Sequence, residues 1–319
     1  MPPSANSRPA RLRRTLLAGL IATAIVFPVS AAASPDVPAP AAVHFSESAS
    51  APERYAANLA NLGEAARMAA DAGRVERAAK LRAMTAGGTA RFLSFDGRGT
   101  GRAVEVLGDL ATADRIAVLV PGSDTTLDTY QRFRAGALAL QQRLQAEHPR
   151  SAVVAWLGYD TPGTVSTTVL TADRADAGAR ELAPFLERLR RLSGDGAHLS
   201  LLCHSYGSVV CARTETGPRV TDMALFGSPG TGADTAAELP TSARVWAGRG
   251  SDDWIANVPH VRIGGIGFGA DPVDPAFGAR AFAAGTGGHS DYLRPGTTSL
   301  DSLARIVLGT TAPTEASHA

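Results

Sequence analysis

Past residue 90 the chain alternates short, almost uninterrupted apolar runs with longer stretches whose apolar residues recur every three or four positions. Runs at 116–120, 152–157, 198–202, 223–226 and 244–247 have no polar alternation, which is the mark of strands covered on both faces. Ahead of them, 91–95 and 103–107 flank the turn Asp96-Gly97-Arg98-Gly99-Thr100-Gly101 and read as a β-hairpin. Helical spacing appears at 126–147, 172–192, 208–214 and 298–308. Strands alternating with helices predict an α/β architecture, a mostly parallel central sheet with helices on both faces. An N-terminal helical segment, residues 53–86, precedes it. There Tyr55, Leu59, Leu62, Ala66, Met68, Ala69, Val75, Ala79 and Leu81 predict one or two amphipathic helices, divided at Gly73 and packed on the main body.

The first 33 residues follow a different pattern. Arg11, Arg13 and Arg14 precede an apolar run over 16–29, and small residues follow at 30–34. That is the layout of an export signal, with cleavage near Ser34 expected and secretion or retention at the envelope implied. Gly19 and Pro28 interrupt the run, which is short for a membrane span, so none is expected in the mature form. The core Arg13-Arg14-Thr15-Leu16-Leu17 is similar to a twin-arginine signal, and the export route stays open. Residues 34–52, rich in Ala, Pro and Ser, read as a disordered linker, 87–310 as the main domain and 311–319 as a disordered tail.

Charge narrows the partners. Thirty-one basic against 30 acidic residues leave a net charge of +1, which makes no demand for nucleic acid or an acidic surface. The 319 residues suffice to bury a full core. Cys203 and Cys211 are too few for a disulfide scaffold. They fall in one strand-turn-helix segment where a bridge looks awkward, so buried free thiols are expected. No Cys/His cluster has metal-ligand spacing, and neither a metal nor a cofactor is expected.

The chemistry concentrates where the run at 198–202 enters Cys203-His204-Ser205-Tyr206-Gly207-Ser208. This is a Gly-x-Ser-x-Gly nucleophile elbow with Cys203 in the first glycine position, and it makes Ser205 the candidate nucleophile. Small flanking residues let the following helix approach the strand. The loop Pro121-Gly122-Ser123-Asp124 follows an early strand, so the backbone N–H of Ser123 and that of Tyr206 form the expected oxyanion hole. After the run at 244–247, Gly248-Arg249-Gly250-Ser251 leads to Asp252-Asp253-Trp254-Ile255. Asp253, two residues before Ile255, suits the acid-x-aliphatic pattern better than Asp252, the alternative. Among seven histidines, His289 in Gly287-Gly288-His289-Ser290-Asp291-Tyr292 precedes the last helix and completes the order Ser, Asp, His. His204 lies beside the serine facing another way, and His260 follows Asp253 too soon. The Gly-rich stretch 261–288 has no lysine after it and opens no dinucleotide unit, so it reads as a substrate-facing loop, with Phe268, Phe277 and Phe282 as its packing anchors.

Taken together, Phe92-Leu93-Ser94-Phe95-Asp96, Val120-Pro121-Gly122-Ser123, His204-Ser205-Tyr206-Gly207-Ser208, Phe226-Gly227-Ser228-Pro229-Gly230, Phe277-Gly278-Ala279 and His289-Ser290-Asp291-Tyr292 resemble alpha/beta hydrolase family 8. This is a largely actinobacterial group catalogued as a domain of unknown function. The resemblance spans residues 53–308. It implies the α/β-hydrolase fold and a Ser-Asp-His triad, carried onto Ser205, Asp253 and His289; family members usually keep Gly where this chain has Cys203. The expected activity is hydrolysis of short or medium acyl esters, small-molecule or lipid-like, through an acyl-enzyme. Peptidase or amidase action by the same triad, or a non-catalytic cell-surface binding role, are the alternatives, since fold alone does not choose.

Overall fold

The computed structural model describes residues 37–194 and 196–311. The export signal expected over 1–33 lies outside them, as do residues 312–319 of the expected tail. Eight strands form one sheet in the order β1-β2-β4-β3-β5-β6-β7-β8. Strand β1 (Phe92–Asp96) and β2 (Arg102–Gly108) make the anticipated antiparallel hairpin, and β2 runs antiparallel to β4 (Ser151–Leu157). From β4 onward every pairing is parallel, through β3 (Arg115–Val120), β5 (His198–His204), β6 (Val220–Phe226), β7 (Arg244–Gly248) and β8 (Arg280–Ala281). The last of these has only two residues and falls inside the Gly-rich stretch, where no apolar run marks it.

Helices cover both faces, as a sheet built from continuous apolar strands requires. On one face α4 (Asp173–Ser193) and α5 (Tyr206–Ala212) pack with Val118, Val154, Leu201 and Cys203. On the other, α3 (Tyr130–Glu147) and α6 (Thr298–Leu308) enclose Ala117, Leu119, Leu202 and Phe226. Helix α3 begins four residues later than its apolar spacing suggests. Residues 121–129 instead form a polar loop in which Asp124 has a positive φ of 57° and its carbonyl accepts the Thr129 hydroxyl at 2.8 Å.

The N-terminal helices are α1 (Ala51–Asp71) and α2 (Val75–Met84), with Gly73 between them at φ 72°. Ser50 and Glu53 close a reciprocal capping box at the start of α1. The buried stripe differs from the one expected: Leu59 and Val75 are exposed, while Arg54, Asn58, Asn61 and Arg77 are buried beside Leu62, Ala65, Ala66 and Leu81. Backbone carbonyls account for this, because each buried donor meets one: Asn58 Nδ2 donates to Phe92 O, Asn61 Nδ2 to Ala41 O, and Arg54 to Ser46 O and Ala49 O. The bonds to Ala41, Ser46 and Ala49 fasten residues 41–49 of the expected disordered linker to α1 as a strap held by its own carbonyls, and residues 51 and 52 of that linker open α1 itself.

A larger correction concerns the cysteines. Cys203 and Cys211 form a disulfide, with Cα atoms 6.4 Å apart, and no free thiol exists. The reversal after Ser205 is sharp enough to lay α5 back against β5, which brings Cys211, in the second turn of the helix, beside the strand end and within bridging range of Cys203.

Candidate active site

The loops that leave the C-terminal ends of β3, β5, β6 and β7 converge on Ser205. It sits between β5 and α5 at φ 54°, ψ −128°, a strained conformation for a residue with a Cβ. Its N–H donates to Phe226 O at 2.9 Å, which fastens the turn to the neighbouring strand. Two glycines permit this packing. A Cβ on Gly207 would lie 2.6 Å from the carbonyl oxygens of both Val120 and Pro121, and one on Gly122 would lie 2.5 Å from the Ser205 Cβ.

His289 bridges Ser205 and a carboxylate. Its Nε2 is 2.9 Å from Ser205 Oγ, and its Nδ1 is 2.8 Å and 3.1 Å from the two carboxylate oxygens of Asp253. The structure thus brings together Ser205, Asp253 and His289, and leaves Asp252 exposed, accepting the hydroxyl of Ser251. Asp253 caps a short turn over Trp254–Asn257, its Oδ1 accepting the Ile255 N–H at 2.9 Å. That bond gives the acid-x-aliphatic spacing a physical cause: the carboxylate caps the turn while the aliphatic residue is buried behind it. His260 lies apart, 3.6 Å from Asp271.

Asp253 is only 2% exposed, and burial works to raise its pKa. Hydrogen bonds from His289, Tyr292 and the Ile255 N–H outweigh burial and hold the carboxyl below the ordinary aspartate value, so it is ionised beside the imidazole. Tyr292 donates its O–H to Asp253 Oδ2 at 2.5 Å and accepts the Gly250 N–H at 3.1 Å. Burial and that carboxylate both push the Tyr292 phenol upward.

Ser123 and Tyr206 line the same cavity as Ser205. Neither backbone N–H meets an acceptor among the described residues. The Tyr206 side chain is engaged elsewhere, its hydroxyl donating to Thr171 O at 2.6 Å.

The contacts of three residues escaped the sequence reading. Tyr292 lies in the same short run as His289, but nothing in its type or spacing shows that its hydroxyl turns toward Asp253. The Nε2–H of His204 donates to the backbone carbonyl of His289 at 2.8 Å, and its ring centroid lies 4.8 Å from that of His289. Burial first, and then the neighbouring His289, hold His204 down to about 3, so it is a neutral donor. On the other side Trp254 packs against His289 with ring centroids 4.6 Å apart. Among the described residues no group of three His, Cys, Asp or Glu side chains is gathered that could hold a metal ion, and no helix is long and apolar enough to cross a membrane.

Comparison with known proteins gives a family model, described as alpha/beta hydrolase, that matches residues 96–263, more than half of the chain. An uncharacterized protein of Mycobacterium tuberculosis is 31% identical over 245 residues, covering 66% of this chain and 37% of its own length. An uncharacterized protein of Mycobacterium bovis is 28% identical over 185 residues, covering 53% of this chain and 66% of its own length. The chain therefore spans little more than a third of the first relative. Among solved structures, esterase PE8 has a TM-score of 0.46 at 18% identity, covering 65% of this chain and 97% of its own. Esterase LipW from Mycobacterium marinum has a TM-score of 0.46 at 14% identity, covering 77% and 90%.

Proposed function

Since this chain belongs to the alpha/beta hydrolase family, we propose that it is an exported serine hydrolase that cleaves carboxylic esters through an acyl-enzyme, with Ser205, Asp253 and His289 as its triad. The reading rests on one observation above all: a serine on a strained turn whose Oγ is 2.9 Å from an imidazole nitrogen, with a buried carboxylate 2.8 Å from the other nitrogen. His289 Nε2 takes the Ser205 proton as Oγ attacks the acyl carbon. The Ser123 and Tyr206 N–H groups hold the oxyanion that develops. Collapse expels the alcohol, which leaves with the proton from His289, and water then repeats the sequence to free the acid. Asp253 stays ionised, fixes the Nδ1–H tautomer and stabilises the imidazolium.

Export is supported from two directions. The first 33 residues have the layout of a signal, and a disulfide between Cys203 and Cys211 suits an oxidising compartment. The activity is tested with a fluorophosphonate probe and p-nitrophenyl butyrate. Labelling is expected at Ser205 by mass-spectrometric mapping, lost in Ser205→Ala and His289→Ala together with ester turnover. Folded protein that neither labels nor hydrolyses the ester would refute the proposal, and turnover of amides at rates comparable to esters would move it to a peptidase or amidase.

A further inference from the structure

The cavity above Ser205 has a volume of about 1200 Å³. Small-molecule sites run to roughly 300–1,000 Å³. A short ester in this one would leave most of the apolar lining without a partner, so the space itself asks for a larger apolar substituent.

The mouth repeats that demand. Among the described residues ten large hydrophobic side chains are exposed, and six of them line this cavity: Val165, Leu170, Trp254, Val261, Ile263 and Ile266. A side chain that both faces solvent and lines the cavity stands on its rim. Ile263 is 73% and Val165 80% exposed, costly positions that a monomeric protein rarely gathers on one patch without use. The rim is also built rather than loose. Ile263 and Ile266 exchange two backbone hydrogen bonds of 3.0 Å across Gly264-Gly265, whose φ values of 56° and 84° suit the two-residue hairpin that carries both isoleucines. The N–H of Gly267 donates to Leu170 O at 2.9 Å, tying this hairpin to the loop that bears Val165 and Leu170. A macromolecule seated on the rim would cover the way to Ser205. A ligand that uses both rim and nucleophile is one whose ester lies at Ser205 and whose apolar chain reaches the mouth.

We infer that the substrate is an ester carrying an extended unbranched hydrocarbon chain, lipid-like and of medium length or longer rather than short, with its distal methylenes lying against the rim formed by Val165, Leu170, Ile263 and Ile266. The inference rests on the proposed esterase reading. It is tested by measuring kcat/KM below the aggregation limit for p-nitrophenyl acetate, butanoate and octanoate, and in parallel for ethyl and octyl acetate. The first series carries the chain in the acid and the second carries it in the alcohol. Full burial of one methylene corresponds to about 0.8 kcal/mol, or roughly fourfold, and a half-buried methylene to about twofold. A rise of about tenfold or more from butanoate to octanoate, or from ethyl to octyl acetate, is therefore expected in one series, and that series identifies which side of the ester bears the chain. In the double variant Ile263→Asp/Ile266→Asp, whose positions are exposed and whose folding circular dichroism checks, the same ratio falls toward one. Flat or falling kcat/KM in both series, from protein that labels at Ser205, overturns the extended-chain inference and leaves the esterase reading standing. A ratio untouched by the double variant overturns the role of the rim. Absence of labelling in folded protein overturns both.

Discussion

Tyr292→Phe isolates one hydrogen bond and leaves the packing in place. The ring stays against Phe226 and His204, at centroid distances of 5.2 Å and 5.6 Å, while the donor to Asp253 Oδ2 is lost. A hydrogen bond to a charged group is worth about 1.5–3 kcal/mol, and the Gly250 N–H, deprived of its acceptor, adds about 1 kcal/mol more. Unfolding in urea at pH 7 should therefore show a loss of about 2–4 kcal/mol. The pH dependence has a definite sign. Asp253 is held below its ordinary value in the folded protein, so its contribution is present above the unfolded aspartate pKa and disappears as pH falls through the folded one. Removing the Tyr292 donor raises the folded pKa, and the acid loss of stability moves to higher pH. In catalysis the phenol acts only through the carboxylate, as a positioning residue. If about 1.4 kcal/mol of its bond is felt in the transition state, kcat for p-nitrophenyl butyrate drops about tenfold. Placed on Asp253→Asn, the same substitution should cost less than twofold, because the ionised acceptor is gone. A tenfold loss in both backgrounds would refute the coupling, as would a variant with wild-type kcat and an unshifted acid transition.

Asp253→Asn should lower kcat by about 10³–10⁴-fold, while Asp252→Asn stays within twofold of wild type, in parallel assays on folded protein. His204 is held at about 3, so between the unfolded value of 6.5 and that point the unfolded chain binds a proton that the folded one refuses. Folding stability then falls by about 2 kcal/mol between pH 6.5 and 5, a loss that urea titrations should find missing in His204→Gln, whose amide still donates. The pair Cys203→Ser/Cys211→Ser, which opens a loop of eight residues, should lose about 2–3 kcal/mol on the chain-entropy account. Alkylation of denatured, unreduced protein should add no mass; a product carrying two alkyl groups would mean the bridge does not form.

Legibility followed the physics. The central strands were readable because burial on both faces leaves an unbroken apolar signature, as at 152–157. That Ser205, Asp253 and His289 meet was readable in chain order because loops at one edge of a parallel sheet converge, whatever their lengths. The buried stripe of α1 was misread for the opposite reason. Arg54, Asn58 and Asn61 look like solvent-facing residues until the carbonyls of Ala41, Ser46 and Phe92 arrive from elsewhere in the chain. Tyr292 and His204 pose the same difficulty inside the site, since their worth lies in where one donor atom points. The two-residue β8 left no periodicity at all to detect.

The one departure from the elbow pattern is instructive for the same reason. Glycine is required where a Cβ would strike backbone, and here that position is Gly207, wedged against the Val120 and Pro121 carbonyls, with Gly122 serving the serine from the facing loop. Position 203 faces a different neighbour. Its side chain points toward α5, and a cysteine there meets another side chain, Cys211, which can join it. The Cβ that looks like a cost in the sequence thus becomes the anchor of the helix that follows Ser205. Substituting Gly at 203 would restore the common motif and remove the bridge, so the consensus residue should make this protein less stable, not more.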